Sequence, residues 1–455
     1  MKRIEKDYLG TMEIEEDALY GIHSLRANQN FPITKRGLDE TLISNIVLVK
    51  KACAIVNKEN NELDADKADA IIKACDLIIS GEYRDAFIVD LIQGGAGTSA
   101  NMNANEVIAN LAIKELGGKP GQYELVHPLD DVNLHQSTND VIPTAARLTV
   151  MDKSKDLIDA LNELKEELDK KAKQYENIYR LGRTQLQDAV PMKASRSFEA
   201  YSSMIRRSII KIENVVKYMH HVNLGGTAIG SGIASTPKYQ EKIVPELSEL
   251  SGYELSRFYN LYDGTQNADD FASVSSEIKV CALSLSKMAN DMRLLSSGPM
   301  SGYREYNLPD KQSGSSIMPG KINPVIPEAL NQAAFLVIGN DVTVMMATEA
   351  GQLELNAFLP VLLFQLFESI DVLTNSIRTF TENCIRDLVV IEDRSAYNVE
   401  HSPSLATALI PIIGYEKASE IVKKANESGK TIFEVAEEYG ISRKDIEERL
   451  NPLDV

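Results

Sequence analysis

The sequence has no tryptophan, only four cysteines and six histidines, and no apolar run as long as a membrane span. Cys53, Cys75, Cys281 and Cys384 stand far apart with no CxxC spacing, which excludes a disulfide framework and a cysteine-rich zinc site and predicts buried thiols in a reducing compartment. His23, His127, His135, His220, His221 and His401 show no HExxH or similar pattern, so no metal site is written into the spacing. The longest strongly apolar patch, AFLPVLLFQLF at 357–367, falls short of the roughly 20 residues a bilayer requires. The first residues, MKRIEKDYLG, contain no apolar signal core. An excess of basic charge is also missing: 48 Lys and Arg face 66 Asp and Glu, a net of −18 that argues against nucleic acid or an anionic membrane as partner. The expectation is a soluble cytoplasmic protein whose ligand is a small molecule, held by local rather than overall charge.

What is present is length and helical period. With 455 residues, 44% of them hydrophobic, the chain suits two or three domains. The first forty residues read as mostly irregular. Leu42, Ile46 and Val49, then Ile71, Cys75 and Ile78, step at helical spacing and predict two helices of a small N-terminal domain. From Asn139 onward, Leu157, Leu161, Leu164, Leu168, Ala172 and Tyr175 form one stripe. Such a rod would be roughly 55 Å long and would need parallel partners. Residues 198–218, 274–292, 326–346 and 353–377 supply them, and the last is apolar on nearly all sides, which predicts burial at an oligomer interface. The fold class is all-α: a long central helical bundle, 139–390, between smaller helical domains at 1–138 and 391–455.

Four polar stretches interrupt the rods. GGAGTSA puts Gly95, Gly97 and Ala100 in a G-x-G-x-x-A pattern, but a dinucleotide site needs alternating strands around it, so a tight turn with Thr98 heading an anion-binding helix is preferred. HQSTND at 135–140 precedes the longest rod, with Pro143 placed in its first turn. GRTQLQDAVPM at 182–192 connects two rods, and GSSIMPGKINP at 314–324 combines flexible glycines, two serines, a lysine and an asparagine. Hydroxyls, amides and one ammonium at helix ends suit carboxylates, which accept several hydrogen bonds at once.

GSSIMPGKINP resembles the GSSxMPxKxN signature of the aspartase/fumarase superfamily, and the likeness extends along nearly the whole chain, closer to the aspartase branch than to the fumarase branch. The resemblance implies a homotetramer with a core of about twenty helices and active sites shared by three subunits. It implies reversible anti elimination of ammonia from L-aspartate to give fumarate through an enediolate. Ser315 would take the Cβ proton. Thr98, Ser137, Thr138 and Ser316 would grip the β-carboxylate, Thr184, Lys321 and Asn323 the α-carboxylate, and Asn139 the amino group. Arg26 and Gln185 are assigned by position only. No cofactor or metal is required on this reading, although some aspartases are activated by divalent cations.

Gln185 stands where fumarases generally carry His. Expelling hydroxide needs a proton donor, whereas an ammonium group leaves as neutral ammonia without one. Two positions depart from the family's usual pattern: GSGIA at 230–234 ends in Ala234 where an Asn is common, and His135 replaces a small residue. A fumarate hydratase, or a lyase acting on a substituted aspartate or another amine, remains the alternative.

Overall fold

The computed structural model describes residues 1–450. Two compact units share the chain: Met1–Leu157, Lys211–Val280 and Leu336–Val372 form the first, and Ile158–Ile210, Cys281–Phe335 and the remainder from Leu373 form the second.

The first unit opens differently from the expectation of irregular structure. β1 (Lys2–Asp7) and β2 (Gly10–Glu15) make an antiparallel hairpin, followed by α1 (Ile22–Asn30). The residue β1 turns inward is Glu5, which accepts from the Ile22 N–H at 2.9 Å and the Tyr123 hydroxyl at 3.0 Å. α2 (Glu40–Glu59) and α3 (Ala65–Ile79) start where Asp39 and Asp64 each accept two backbone N–H groups, the preferred N-cap arrangement. α4 (Thr98–Glu115) is buried along most of its length, asparagines included. Its Glu106 carboxylate accepts from the backbone N–H groups of Gly21, His23 and Ser24 and from the Ser24 hydroxyl, which fastens the start of α1 to α4. Burial pushes the Glu106 carboxyl up despite those donors.

The long rods appear as expected. α5 spans Thr138–Gln174 and presents Leu157, Leu161, Leu164 and Leu168, all fully buried. Pro143 lies in its second turn rather than its first. A proline has no N–H, so the Asn139 carbonyl four residues earlier loses its helical partner; Asn223 Nδ2 replaces it at 3.0 Å.

Residues 179–193 are a correction to the expected connector: β3 (Tyr179–Thr184) pairs antiparallel with β4 (Gln187–Lys193) in the second unit. α6 (Ser195–Val216), α7 (Pro237–Ser251), the short α8 (Leu261–Gln266), α9 (Asp269–Leu295), α10 (Val325–Glu349) and α11 (Leu359–Phe380) follow. α11 starts six residues later than the period suggested, because Leu353 adopts a positive φ of 54° and residues 351–358 turn.

The helix with an uncovered apolar face is α10, not α11. Phe335 (61% exposed), Leu336, Val342, Met345 and Met346 (62%) lie on its surface at helical spacing. α10 is long and apolar enough by composition to cross a membrane. Its polar residues nevertheless pair with neighbouring helices: Asp341 accepts from Ser275 and Lys279, and Asn331 donates to Ser286. The chain ends in α12 (Glu392–His401), α13 (Ile410–Ser428), α14 (Ile432–Glu438) and α15 (Arg443–Glu447), the last two opened by Thr431/Glu434 and Ser442/Asp445 capping boxes. All four cysteines are buried and none forms a disulfide among the described residues.

Candidate active site

The first unit brings two of the four polar stretches to neighbouring helix starts. Gly97 precedes α4 with φ at 94°, a conformation that favours glycine, and a side chain there would press on Ile142 of α5 at 3.1 Å. Thr98 is exposed at the head of α4, where its hydroxyl donates to the Gly95 carbonyl at 2.7 Å. At the start of α5, Ser137 Oγ accepts the Asn139 N–H at 3.2 Å, and the Asn139 side chain donates to the Ala228 carbonyl at 2.7 Å. Ser137, Thr138 and Asn139 remain partly open to solvent.

Beneath them Asp140 is fully buried and accepts the N–H groups of Ser137, Gly225 and Thr227 at 2.9 to 3.1 Å. Burial pushes its carboxyl up to about 6, with those three donors opposing the shift. Lys50, also fully buried, donates to Asn133 Oδ1 at 2.8 Å, and burial takes its ammonium down to about 7. Neither group was singled out from the sequence; Asp140 could have been, as the acid closing the QSTND turn. Arg26 is engaged elsewhere, in a two-pronged pair with the Asp7 carboxylate at 2.6 and 2.9 Å.

In the second unit Thr184 faces Gln187 across the tip of the β3–β4 hairpin, and the two residues between them, Gln185 and Leu186, have φ of 52° and 61°. A two-residue hairpin turn of this hand normally uses Asn-Gly. Each non-glycine residue held there costs on the order of 1 kcal/mol, and such strain gathers at functional sites. The hairpin is anchored by Glu305, 0% exposed, whose carboxylate pairs with Arg180 at 3.0 Å and Arg183 at 2.7 Å and accepts from Asn398 at 2.9 Å. Burial pushes the Glu305 carboxyl up, but Arg183, Arg180 and Asn398 outweigh it and leave a net lowering from 4.5.

The 314–324 segment closes on itself. Asn323 Nδ2 donates to the Gly314 carbonyl at 2.6 Å, and any side chain at 314 would collide with the Lys321 carbonyl. Ser315 Oγ accepts the N–H of Met318 at 2.8 Å and of Ile317 at 3.2 Å. Ser316 and Lys321 are exposed, and among the described residues Lys321 has no ion-pair partner. A hydroxyl oxygen facing two backbone N–H groups, with a free ammonium in the same loop, can act as a base or hold an anion.

Comparison with known proteins gives these supports a context. Residues 10–339 match the model of the lyase family, and residues 405–455 match that of the fumarase C C-terminus. The chain is 45% identical over 454 residues to an aspartate ammonia-lyase of Bacillus sp, covering 100% of this chain and 97% of that protein. To the aspartate ammonia-lyase of Escherichia coli strain K12 it is 42% identical, covering 96% and 92%. Among solved structures, the cobalt-bound fumarate lyase:delta crystallin of Brucella melitensis superposes with a TM-score of 0.96 at 45% identity, covering 99% of each chain. A class II fumarase from Schistosoma mansoni gives 0.93 at 31%, covering 99% and 98%.

Proposed function

The chain belongs to the aspartase/fumarase superfamily of lyases, and from that premise we propose that it is a carbon–nitrogen lyase that reversibly eliminates ammonia from L-aspartate to give fumarate. The observation that carries the chemistry is Ser315 Oγ facing the Ile317 and Met318 N–H groups. A proton beside a carboxylate is very weakly acidic, because its removal adds a second negative charge to a group already charged. A serine removes it only if its own alkoxide is stabilised, and two backbone donors at hydrogen-bond distance supply that stabilisation.

Ser315 then takes the Cβ proton, and the electron pair moves into the β-carboxylate as an enediolate. Thr98, Ser137, Thr138 and Ser316 donate to it, and the loss of one such donor typically costs about 3 to 4 kcal/mol. Thr184, Lys321 and Asn323 hold the α-carboxylate, while Asn139 and Gln185 orient the amine, which leaves as ammonia when the C–N bond breaks. The mechanism uses no cofactor; a divalent cation would act as an activator and not as a reactant.

Within each unit these donors are partly or fully open to solvent. We propose that they meet across subunits of a homotetramer, and the uncovered apolar face of α10 supports that assembly: an exposed stripe of Phe335, Val342, Met345 and Met346 is what a second copy would bury. A cytoplasmic setting goes with a substrate and product of this kind. The test is to supply fumarate with ammonium, with other small amines and with buffer alone, and to identify each product by mass spectrometry. L-Aspartate formed only with ammonium is expected; malate formed without it would make the chain a hydratase.

A further inference from the structure

Glu62, His135 and Ala234 lie on three separate segments of the first unit and meet at one imidazole. His135 Nδ1 is 3.1 Å from the Ala234 carbonyl oxygen, and because that oxygen can only accept, Nδ1 carries the proton. Nε2 stands 3.2 Å from Glu62 Oε2, at ion-pair distance but without a directed hydrogen bond. The ring rests against Tyr239, centroids 5.3 Å apart. His135 and Ala234 both have positive φ, 64° and 68°, so the bond joins two turns that are each left-handed at a residue other than glycine. The two positions stand 99 residues apart in the chain, and the structure places them in contact.

The loop that ends at Ala234 controls Asn139. Ala228 accepts the Asn139 side chain at 2.7 Å, Asn223 holds the Asn139 carbonyl at 3.0 Å, and Gly225 and Thr227 donate to Asp140 at 3.1 and 2.9 Å. His135 fastens the far end of that same loop to the turn just before Asn139. We infer that His135 is a positioning residue of the amine pocket: through the Ala234 carbonyl it fixes residues 223–234, and through them the Asn139 amide that meets the substrate's ammonium group. This rests on the ammonia-lyase reading above.

The experiment measures fumarate amination by the full-length enzyme and reads the KM for ammonium apart from the KM for fumarate. His135→Gly removes the ring at a left-handed position that glycine adopts freely. His135→Asn keeps an N–H near the place of Nδ1 and tolerates the same backbone. His135→Gly is expected to raise the ammonium KM about fivefold or more, with the fumarate KM within about twofold of wild type, and His135→Asn to restore most of the loss. Ala234→Gly, which loosens the loop's far end and spares the ring, is expected to raise the ammonium KM by about threefold and serves if His135→Gly does not fold. Unchanged constants in His135→Gly, an equal rise in both constants, or no rescue by asparagine would each overturn the inference. A wild-type enzyme that adds no ammonia would overturn the function itself, and the inference with it.

Discussion

The Met318 backbone N–H donates to Ser315 Oγ over 2.8 Å, so the loop turns one of its own donors onto its own serine. If that oxygen is the base, Ser315→Ala removes the proton acceptor and leaves the exposed loop without a packing defect. The expected result is a loss of turnover of roughly a thousandfold, with thermal stability and assembly unchanged. Fumarate release followed by absorbance checks this; activity within tenfold of wild type would remove Ser315 from the role.

The hairpin tip offers a separate test. Leu186 is 60% exposed with φ at 61°, so Leu186→Gly relieves backbone strain while giving up little burial. A gain of about 1 kcal/mol in stability is expected, read by denaturant unfolding. Turnover should fall in the same variant, because Thr184 and Gln185 lose a stiff support.

Glu305 sets a pH dependence. Its folded carboxyl lies below the ordinary 4.5, so the stabilisation it provides is complete above that value and is lost as pH falls through the lower folded value. Glu305→Gln takes from buried Arg180 its carboxylate partner and leaves Arg183 only the half-exposed Asp188 at 3.8 Å, and a cost of about 3 to 5 kcal/mol at neutral pH is expected. Melting curves from pH 7 to pH 3 should be steep for the wild type below 4.5 and flatter for the variant; parallel curves would refute the assignment.

The α10 surface predicts association. Phe335→Glu places a charge on the exposed stripe without disturbing the interior of the single chain. The variant is expected to sediment as a smaller species with far less activity, as a site shared between subunits requires. A monomer that keeps full turnover would contradict the shared-site reading.

The rods were legible because burial imposes a period: α5 was expected at 139–175 and spans Thr138–Gln174. The hairpins were not, for a reason visible in β1. Its one buried residue is Glu5, so an alternation sought among apolar residues finds nothing. β3 and β4 carry Gly182 at a register shift and Pro191, which hide the strand pattern in the same way. The candidate site divides along similar lines. The donors proposed for it stand in short motifs and could be proposed from sequence. The groups that hold them, Glu305 under the hairpin and Asp140 beneath Ser137, owe their roles to partners far away in the chain, and His135 and Ala234 are separated by 99 positions.

The Glu106 carboxylate has a bearing on how the polypeptide must be handled. Its four donors all come from residues 21–24, while its own helix begins at Thr98. A proteolytic nick or a trimmed gene that removed the first two dozen residues would leave a naked anion inside α4, and the injury would surface as weakened catalysis at a distance from the cut.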